Sequence, residues 1–283
     1  MPTAVIDGIT TRYEVVGSGS PLLMFSPGGF DATVESWRTT GIYRRLDLLD
    51  RLPERYRCIL FDRREAGESS GRVQRIGWPD YVAQAIGVLD VLGVDRAHVI
   101  GGCVGCSTAV AMGVAHPDRV ASMVLYSPAG GVHYRRKQHD RFVRHLGFVA
   151  EHGLQAVVDL ATAGADGFSQ NPRVGPWVSV LRGDADFAKA YAGLDPAWYA
   201  TVVTGTARLL YDRDTVSGAE PDDLLLLETP ALVVPGQDSS HASSAAWYLA
   251  ETLPRAEFWN VPVAEQTAAN APDRVLAFLN SVS

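Results

Sequence analysis

One stretch of the chain reads Ala97-His98-Val99-Ile100-Gly101-Gly102-Cys103-Val104-Gly105-Cys106, and an alanine-rich segment, 107–116, follows it. β-forming residues lead into a cysteine that stands between glycines, and the alanine-rich segment has the composition of a helix. This pattern is typical of a nucleophile elbow, a sharp strand-to-helix turn that raises a reactive side chain above the end of a sheet. Glycines suit the turn because a Cβ beside the nucleophile would collide with its neighbours. We therefore predict that Cys103 is a nucleophile; the alternative is a glycine-rich connection with a buried cysteine.

The composition indicates an acidic globular protein whose partners are small molecules. With 283 residues, 47% of them hydrophobic, the chain can bury a large core. Its net charge of −7 argues against a nucleic-acid partner. Three cysteines, two of them close together, do not form the disulfide framework of a secreted protein, so we expect a cytoplasmic location. We expect no signal peptide and no membrane association, because no apolar run reaches the roughly 18 residues that a span needs.

Strand and helix patterns alternate along most of the chain. Between two apolar runs, for example, the segment from Trp78 to Leu92 repeats apolar residues with a period near 3.6, as a helix does. From about residue 133 to residue 227 the strand pattern is absent and helical patterns dominate. The sequence therefore predicts an α/β fold with a mostly parallel sheet flanked by helices, formed by residues 1–132 and 228–283, and an inserted helical cap, residues 133–227.

Five short motifs, in this order and spacing, resemble those of the α/β-hydrolase fold superfamily. They are Ser26-Pro27-Gly28-Gly29-Phe30, Asp62-Arg63-Arg64-Glu65-Ala66-Gly67-Glu68-Ser69, the elbow at Cys103, His116-Pro117-Asp118-Arg119-Val120 and Pro235-Gly236-Gln237-Asp238. The resemblance covers nearly all of the chain outside the cap and implies the fold of that superfamily. The reaction must still be argued from the site, because one fold hosts many activities.

The resemblance also implies roles for particular residues. Backbone N–H groups of Val104 and of Gly29, in the segment 28–30, would form an oxyanion hole, in which each fixed donor contributes about 3 kcal/mol. Asp238 follows a predicted strand at the position of the acidic member of a catalytic triad. Its alternative role is that of a turn or helix-capping residue.

The third member of the triad is where the sequence departs from the superfamily. The histidine expected after the last strand is replaced by Glu265, and no histidine follows His241. Three possibilities remain open. His241 could act as the base; Glu265 could donate a proton, since desolvation near Asp238 would raise its pKa; or Cys103 could be ionised by its helix N-terminus without a partner histidine.

Other positions are candidates for substrate binding. Gly28 and Phe30 flank the expected oxyanion donor, and Trp177 and Tyr199 are cap aromatics that could line a pocket. Glu65 replaces a glycine of the superfamily motif, and it could contact substrate or pair with a neighbouring arginine. A basic run between residues 135 and 144 is a solvated helix face or a positive gate for an anionic substrate or a carrier's phosphopantetheine arm.

The second cysteine of the elbow region completes a Cys-x-x-Cys sequence from Cys103 to Cys106. Such a pair can be a redox couple or half of a metal site, but the chain has no second pair. We therefore expect Cys106 to be a small buried residue, and we expect no metal and no cofactor.

The sequence predicts an enzyme that uses Cys103 for acyl chemistry on an ester, lactone or thioester of a small molecule. Hydrolysis, transfer and cyclisation all fit, and the acyl group could be carried by coenzyme A or a carrier protein. One alternative is a lyase, isomerase or cyclase in which Glu265 donates the proton. Another is a catalytically silent ligand-binding protein, which the missing histidine favours. A homodimer and a biosynthetic role are both compatible with the sequence.

Overall fold

A single eight-stranded sheet forms the centre of residues 1–282, the part of the chain that the computed structural model describes. Its spatial order is β1-β2-β4-β3-β5-β6-β7-β8. The strands are β1 (Thr3–Ile6), β2 (Ile9–Val16), β3 (Ser20–Phe25), β4 (Tyr56–Phe61), β5 (Ala97–Gly102), β6 (Val120–Tyr126), β7 (Ala231–Val234) and β8 (Ala256–Phe258). β2 is antiparallel to β1 and β4, and the neighbours from β4 to β8 are parallel. The predicted mostly parallel sheet is confirmed.

Helices follow most of the parallel strands. They are α1 (Ser36–Thr39), α2 (Gly41–Leu46), α3 (Leu48–Arg51), α4 (Trp78–Val91), α5 (Gly105–Ala115), α6 (Val132–Ala163), α7 (Val178–Gly183), α8 (Ala185–Ala192), α9 (Pro196–Leu210), α10 (Pro221–Leu225), α11 (Ser243–Thr252) and α12 (Ala271–Ser281). α6 is interrupted at Gly153, where φ is 76°. No helix within residues 1–282 is long and apolar enough to cross a bilayer.

Both faces of the sheet are covered by apolar layers. In β3, Leu23 and Phe25 pack into the layer that contains α4 and α5, whereas Leu22 and Met24 pack into the layer that contains α12. Successive side chains of a strand point to opposite faces, so a strand covered on both sides is apolar throughout. This double burial explains why the central strands read as continuous apolar runs.

The segment between β6 and β7 is helical and has a core of its own. It contains α6 to α10, and α6 contacts α7, α8 and α9. Its most buried side chains include Trp177, Tyr191 and Tyr199. We refer to residues 132–225 as the helical segment.

Replacing Gly105 by alanine is expected to lower the free energy of unfolding by about 2 kcal/mol, the range of a strained core substitution. A Cβ at this first residue of α5 would lie 2.3 Å from the carbonyl oxygen of Phe25, and strand backbone cannot yield as a flexible side chain does. Urea unfolding followed by circular dichroism measures the change. Gly147→Ala is the matched control, because its Cβ meets nothing within 4 Å in α6 and should stabilise by up to about 1 kcal/mol. Equal stability of the two variants would contradict the steric argument.

Candidate active site

Cys103 sits at the tip of a turn between β5, which ends at Gly102, and α5, which begins at Gly105. Its φ is 57°, a left-handed conformation that is uncommon for a residue with a Cβ. A Cβ at Gly101 would lie 2.5 Å from the carbonyl oxygen of Gly105. Positions 101 and 105 must therefore be glycine for the turn to close. The turn holds the Cys103 side chain half-buried in the wall of a cavity.

Asp238 and His241 lie together on the loop that follows β7. The carboxylate of Asp238 accepts hydrogen bonds from the backbone N–H groups of Ser240 (2.7 Å) and His241 (3.0 Å). Nδ1 of His241 lies 2.8 Å from Oδ2 of the same carboxylate. The loop is anchored beside the elbow because the N–H of Gly130 donates to the carbonyl of Ser240 (3.0 Å). A short turn thus fixes a histidine and its carboxylate partner as one unit.

The other side of the His241 ring faces the thiol of Cys103. Nε2 is buried and has no hydrogen-bond partner within the described residues, and both Cys103 and His241 line the same cavity. Burial would lower the pKa of His241, but the charge and hydrogen bonding of Cys103, together with Asp238, raise it to about 9. For Asp238, burial is outweighed by hydrogen bonds from His241 and Ser240, so its pKa is lowered. The imidazole is thus hydrogen-bonded to the carboxylate on one side, and on the other it is close enough to the sulfur of Cys103 for each group to shift the pKa of the other.

The Cys103 thiol is ionised more readily than an ordinary cysteine. Burial opposes ionisation, but the charge and hydrogen bonding of His241 outweigh burial, and the N–H groups of Val104 and Gly28 act in the same direction, so the pKa is lowered. The lowered pKa of Cys103 and the raised pKa of His241 favour a thiolate beside an imidazolium over the neutral pair, as in activated cysteines.

Gly28, rather than Gly29, supplies the backbone N–H that reaches Cys103 from the loop after β3. Its φ of 124° is accessible to glycine and strained for other residues, and a Cβ there would lie 3.1 Å from the carbonyl oxygen of Asp31. Gly29 lies in the following 3-10 turn, Gly29–Asp31, and lines the cavity without this contact. The role of Gly29 as an oxyanion donor stays a prediction.

Alkylation of Cys103 by iodoacetamide is expected to be fast at a pH well below that needed for a free thiol, whose pKa is near 8.5. Because the pKa of Cys103 is lowered, the alkylation rate should first rise with pH as the thiolate forms, below the pH at which a free thiol ionises. Because the pKa of His241 is about 9, a second rise follows near that pH, when the imidazolium loses its proton and the thiolate loses its ion-pair partner. The dependence of the rate on pH is measured by quenching the alkylation at fixed times and determining the intact-protein mass. A single rise of the alkylation rate, at the pH at which a free thiol ionises, would contradict the ion pair.

Glu265 lies apart from this arrangement. It ends the 3-10 turn Val263–Glu265, and its side chain is exposed and absent from the cavity wall. The desolvation on which its predicted role as a proton donor depended is therefore missing, and that expectation of burial is wrong. The buried residue is its neighbour Gln266, whose amide donates to the carbonyls of Pro235 and Val261 and accepts from the hydroxyl of Tyr126.

A cavity of about 580 Å³ opens above Cys103. Its wall includes the loop after β3, the loop after β7 and three residues of α6: Tyr134, Gln138 and Arg141. Arg141 donates to the side-chain oxygen of Gln138 (2.9 Å) and to the backbone carbonyl of Ser169 (3.2 Å). Both partners are neutral, so its positive charge is available to a ligand. The spacing of Tyr134, Gln138 and Arg141, four and three residues apart, places them on one helix face and was the sequence signal that could have found them.

The aromatic residues predicted to line the pocket are core residues instead. Phe30 packs edge-to-face against Phe142 and Phe168. The indole N–H of Trp177 donates to the carbonyl of Arg72 (2.8 Å), and the hydroxyl of Tyr199 bonds to His145 and Tyr191. Their polar atoms are satisfied inside the protein, which is why these large side chains can be fully buried.

Glu65 and Cys106, which the sequence analysis also singled out, are both buried and hydrogen-bonded within the protein. Glu65 is completely buried with a φ of 68°, and it accepts a hydrogen bond from Nε of Arg64 at 2.9 Å. The structure thus favours the arginine pairing over substrate contact. The thiol of Cys106 is buried and donates to the carbonyl of Gly101 at 3.1 Å. This placement fits the small buried residue that the sequence predicted.

Comparison with known proteins agrees with the fold. Residues 21–169, more than half of the chain, match the family model of the alpha/beta hydrolase fold. The chain therefore belongs to the α/β-hydrolase family.

Its curated relatives match only over part of their length. A 2-hydroxymuconate semialdehyde hydrolase of Pseudomonas sp. is 31% identical over 128 residues, which are 44% of this chain and 41% of that protein. A dihydrolipoyllysine-residue acetyltransferase component of an acetoin cleaving system, from Cupriavidus necator, is 31% identical over 45% of this chain and 32% of that protein. The chain thus spans less than half the length of these relatives. An enol-lactonase structure from Burkholderia xenovorans superposes over 99% of this chain and 100% of its own, with a TM-score of 0.64 and 20% identity, which shows a shared fold.

Proposed function

We propose that this protein is a hydrolase-type enzyme that performs acyl chemistry through Cys103, with His241 as its acid and base and Asp238 as the residue that orients the imidazole. One observation carries the proposal. The thiol of Cys103 shares a cavity wall with an imidazole that is hydrogen-bonded to a carboxylate, although the histidine expected after the last strand is replaced by Glu265. The named hydrolases among the relatives support the reaction type.

The geometry supports a two-stage reaction. The Cys103 thiolate attacks the carbonyl carbon, and the electron pair of the carbonyl moves onto oxygen. The N–H groups of Gly28 and Val104, which now face the sulfur, would stabilise that oxyanion, a contribution of about 3 kcal/mol per donor. The imidazolium of His241 then gives its proton to the leaving oxygen or sulfur, and a thioester on Cys103 remains. Neutral His241 takes a proton from water or an acceptor alcohol, whose oxygen attacks the thioester carbon; the C–S bond then breaks, the acid or ester product leaves, and the thiolate of Cys103 and the imidazolium of His241 are restored.

The substrate we propose is a small ester, lactone or thioester that carries a negative charge away from its reacting carbonyl. Arg141 provides the matching cation, because it lines the cavity and its partners are neutral. The same charge could receive the phosphate groups of a carrier-bound or coenzyme A-bound acyl group. Two relatives are named as hydrolases of 2-hydroxy-6-oxononadienedioate, a dianion, which is consistent with an anionic ligand.

Intact-protein mass after brief exposure to activated acyl esters tests the proposal. The expected product is one acyl group per chain, located on Cys103 by peptide mapping and lost on addition of hydroxylamine. A protein that forms no adduct on Cys103 at neutral pH, with its fold intact, would contradict covalent catalysis. Turnover without any adduct would instead support the lyase or isomerase reaction, and neither turnover nor adduct would support a silent ligand-binding protein.

Replacing Arg141 by glutamine is expected to raise the KM for esters with a distal carboxylate by about tenfold, the range of one lost charge-assisted hydrogen bond, with little change in kcat. Neutral esters of the same size should be unaffected. Steady-state kinetics with the two ester series measures the difference. Arg144→Gln, which removes an exposed arginine paired with Asp140, is the control. An equal effect of Arg141→Gln on both series would exclude charge recognition.

A further inference from the structure

A second, much smaller space, which we call the chamber, lies beside the elbow, and none of its lining residues lines the catalytic cavity. Its volume of about 20 Å³ is lined by Phe25, Phe61 and the start of α5 at Val104 and Gly105. The polar side chains in its wall include Ser26, Arg63 and Tyr81. A space of this size holds one occupant of about the size of a water molecule, since about 10–15 Å³ suffices for one water.

The polar atoms of this wall have no partners within the protein. Nε and Nη2 of Arg63, the hydroxyl of Tyr81 and the hydroxyl of Ser26 are all buried without a hydrogen bond. The three residues are 9%, 1% and 7% exposed. An unsatisfied buried polar group costs about 1–3 kcal/mol, and more where it is charged. Several such groups around one small space indicate that something occupies it.

The charge of the chamber is positive. The Arg63 guanidinium lies over the rings of Tyr81 (4.2 Å) and Phe30 (5.2 Å), but it forms no ion pair with a described carboxylate. The nearby Glu65 is bonded to Arg64. Burial raises the pKa of Glu65 to about 7, so its negative charge is incomplete at neutral pH. The N-terminus of α5, which opens onto the same space, adds partial positive charge.

We propose that this chamber is a binding site for a single monatomic anion, chloride or another halide. A guanidinium, two hydroxyls that can donate and a helix N-terminus all favour negative charge, and no carboxylate lines the space. The small volume favours a monatomic anion over sulfate or phosphate. Water would satisfy the hydroxyls but would add no negative charge, whereas Glu65, the buried carboxylate that interacts with Arg63, is shared with Arg64. The site does not depend on the proposed acyl chemistry.

Chloride-35 NMR at constant ionic strength, with sodium gluconate replacing sodium chloride, tests this inference. The expected result is saturable broadening of the chloride line in the wild-type protein, relieved by bromide and unaffected by sulfate. Arg63→Gln should abolish the saturable component, and Tyr81→Phe should weaken binding severalfold while keeping the charge. Arg136→Gln, which removes an exposed arginine of α6, is the control and should bind as the wild type does.

A second measurement keeps the inference testable if Arg63→Gln fails to fold. Wild-type crystals grown in sodium bromide should show one anomalous peak between Arg63, Tyr81 and Ser26. A strictly linear chloride response in the wild type, equal binding by folded Arg63→Gln, or ordered water without an anomalous peak would each overturn the proposal.

Discussion

Cys103→Ala is expected to lower kcat on a reactive ester by about 10⁴-fold or more, the range seen when a nucleophile is removed from a catalytic triad. The variant should also lose the acyl adduct. Alanine fits the left-handed turn no worse than cysteine does, so the fold should persist. What disappears is the sulfur that His241, Val104 and Gly28 hold in an ionised state.

The control for this variant is Cys58→Ala. Cys58 is a buried cysteine of β4, and burial raises its pKa to about 12, so it is not a nucleophile at neutral pH. Steady-state hydrolysis, intact-protein mass and circular dichroism should be measured on both variants. If Cys103→Ala retained more than a tenth of wild-type turnover, the covalent mechanism would be excluded.

His241→Ala is expected to reduce kcat by about 10³-fold, the typical contribution of a general acid and base. The loss has two causes. The thiolate loses the imidazolium that lowers its pKa, and the leaving group loses its proton donor. The alkylation profile of Cys103 should therefore move toward the pH of an ordinary thiol, an effect that a merely structural role of His241 would not produce.

Glu265→Gln is the matched comparison for His241→Ala. Glu265 stands where the family histidine is expected, but its side chain is exposed and lies outside the cavity wall. We expect turnover and acylation within twofold of wild type. If Glu265→Gln lowered kcat as much as His241→Ala does, proton transfer would have to be assigned to Glu265 and the lyase or isomerase reaction reconsidered.

The sequence was sufficient for the fold and for the elbow because both depend on local features. Continuous apolar runs require a sheet covered on both faces, and glycines at 101 and 105 are required by backbone contacts of 2.5 Å or less. These are constraints that any chain with this pattern must satisfy. Whether His241, Glu265 or neither assists Cys103 depends instead on the path of two loops, the one after β7 and the one after β8.

That path is set by contacts between residues far apart in the chain. The Asp238 turn directs His241 inward only because Gly130, in the loop after β6, hydrogen-bonds to the same loop. In the same way, the pattern of aromatic residues could not distinguish Trp177 and Tyr199 in the core of the helical segment from Tyr134 in the cavity wall. Whether an aromatic side chain lies in the core or in the cavity wall depends on which helices pack against each other. The composition of a segment does not determine that packing.

The placement of His241 and Asp238 on one loop has a consequence for how catalytic residues are sought in chains of this fold. Under the proposed mechanism the base and its carboxylate partner both come from the loop after β7, within four consecutive residues, and the segment after β8 contributes neither. A search that inspects only the segment after β8 would find Glu265, exposed and outside the cavity wall, and would miss His241.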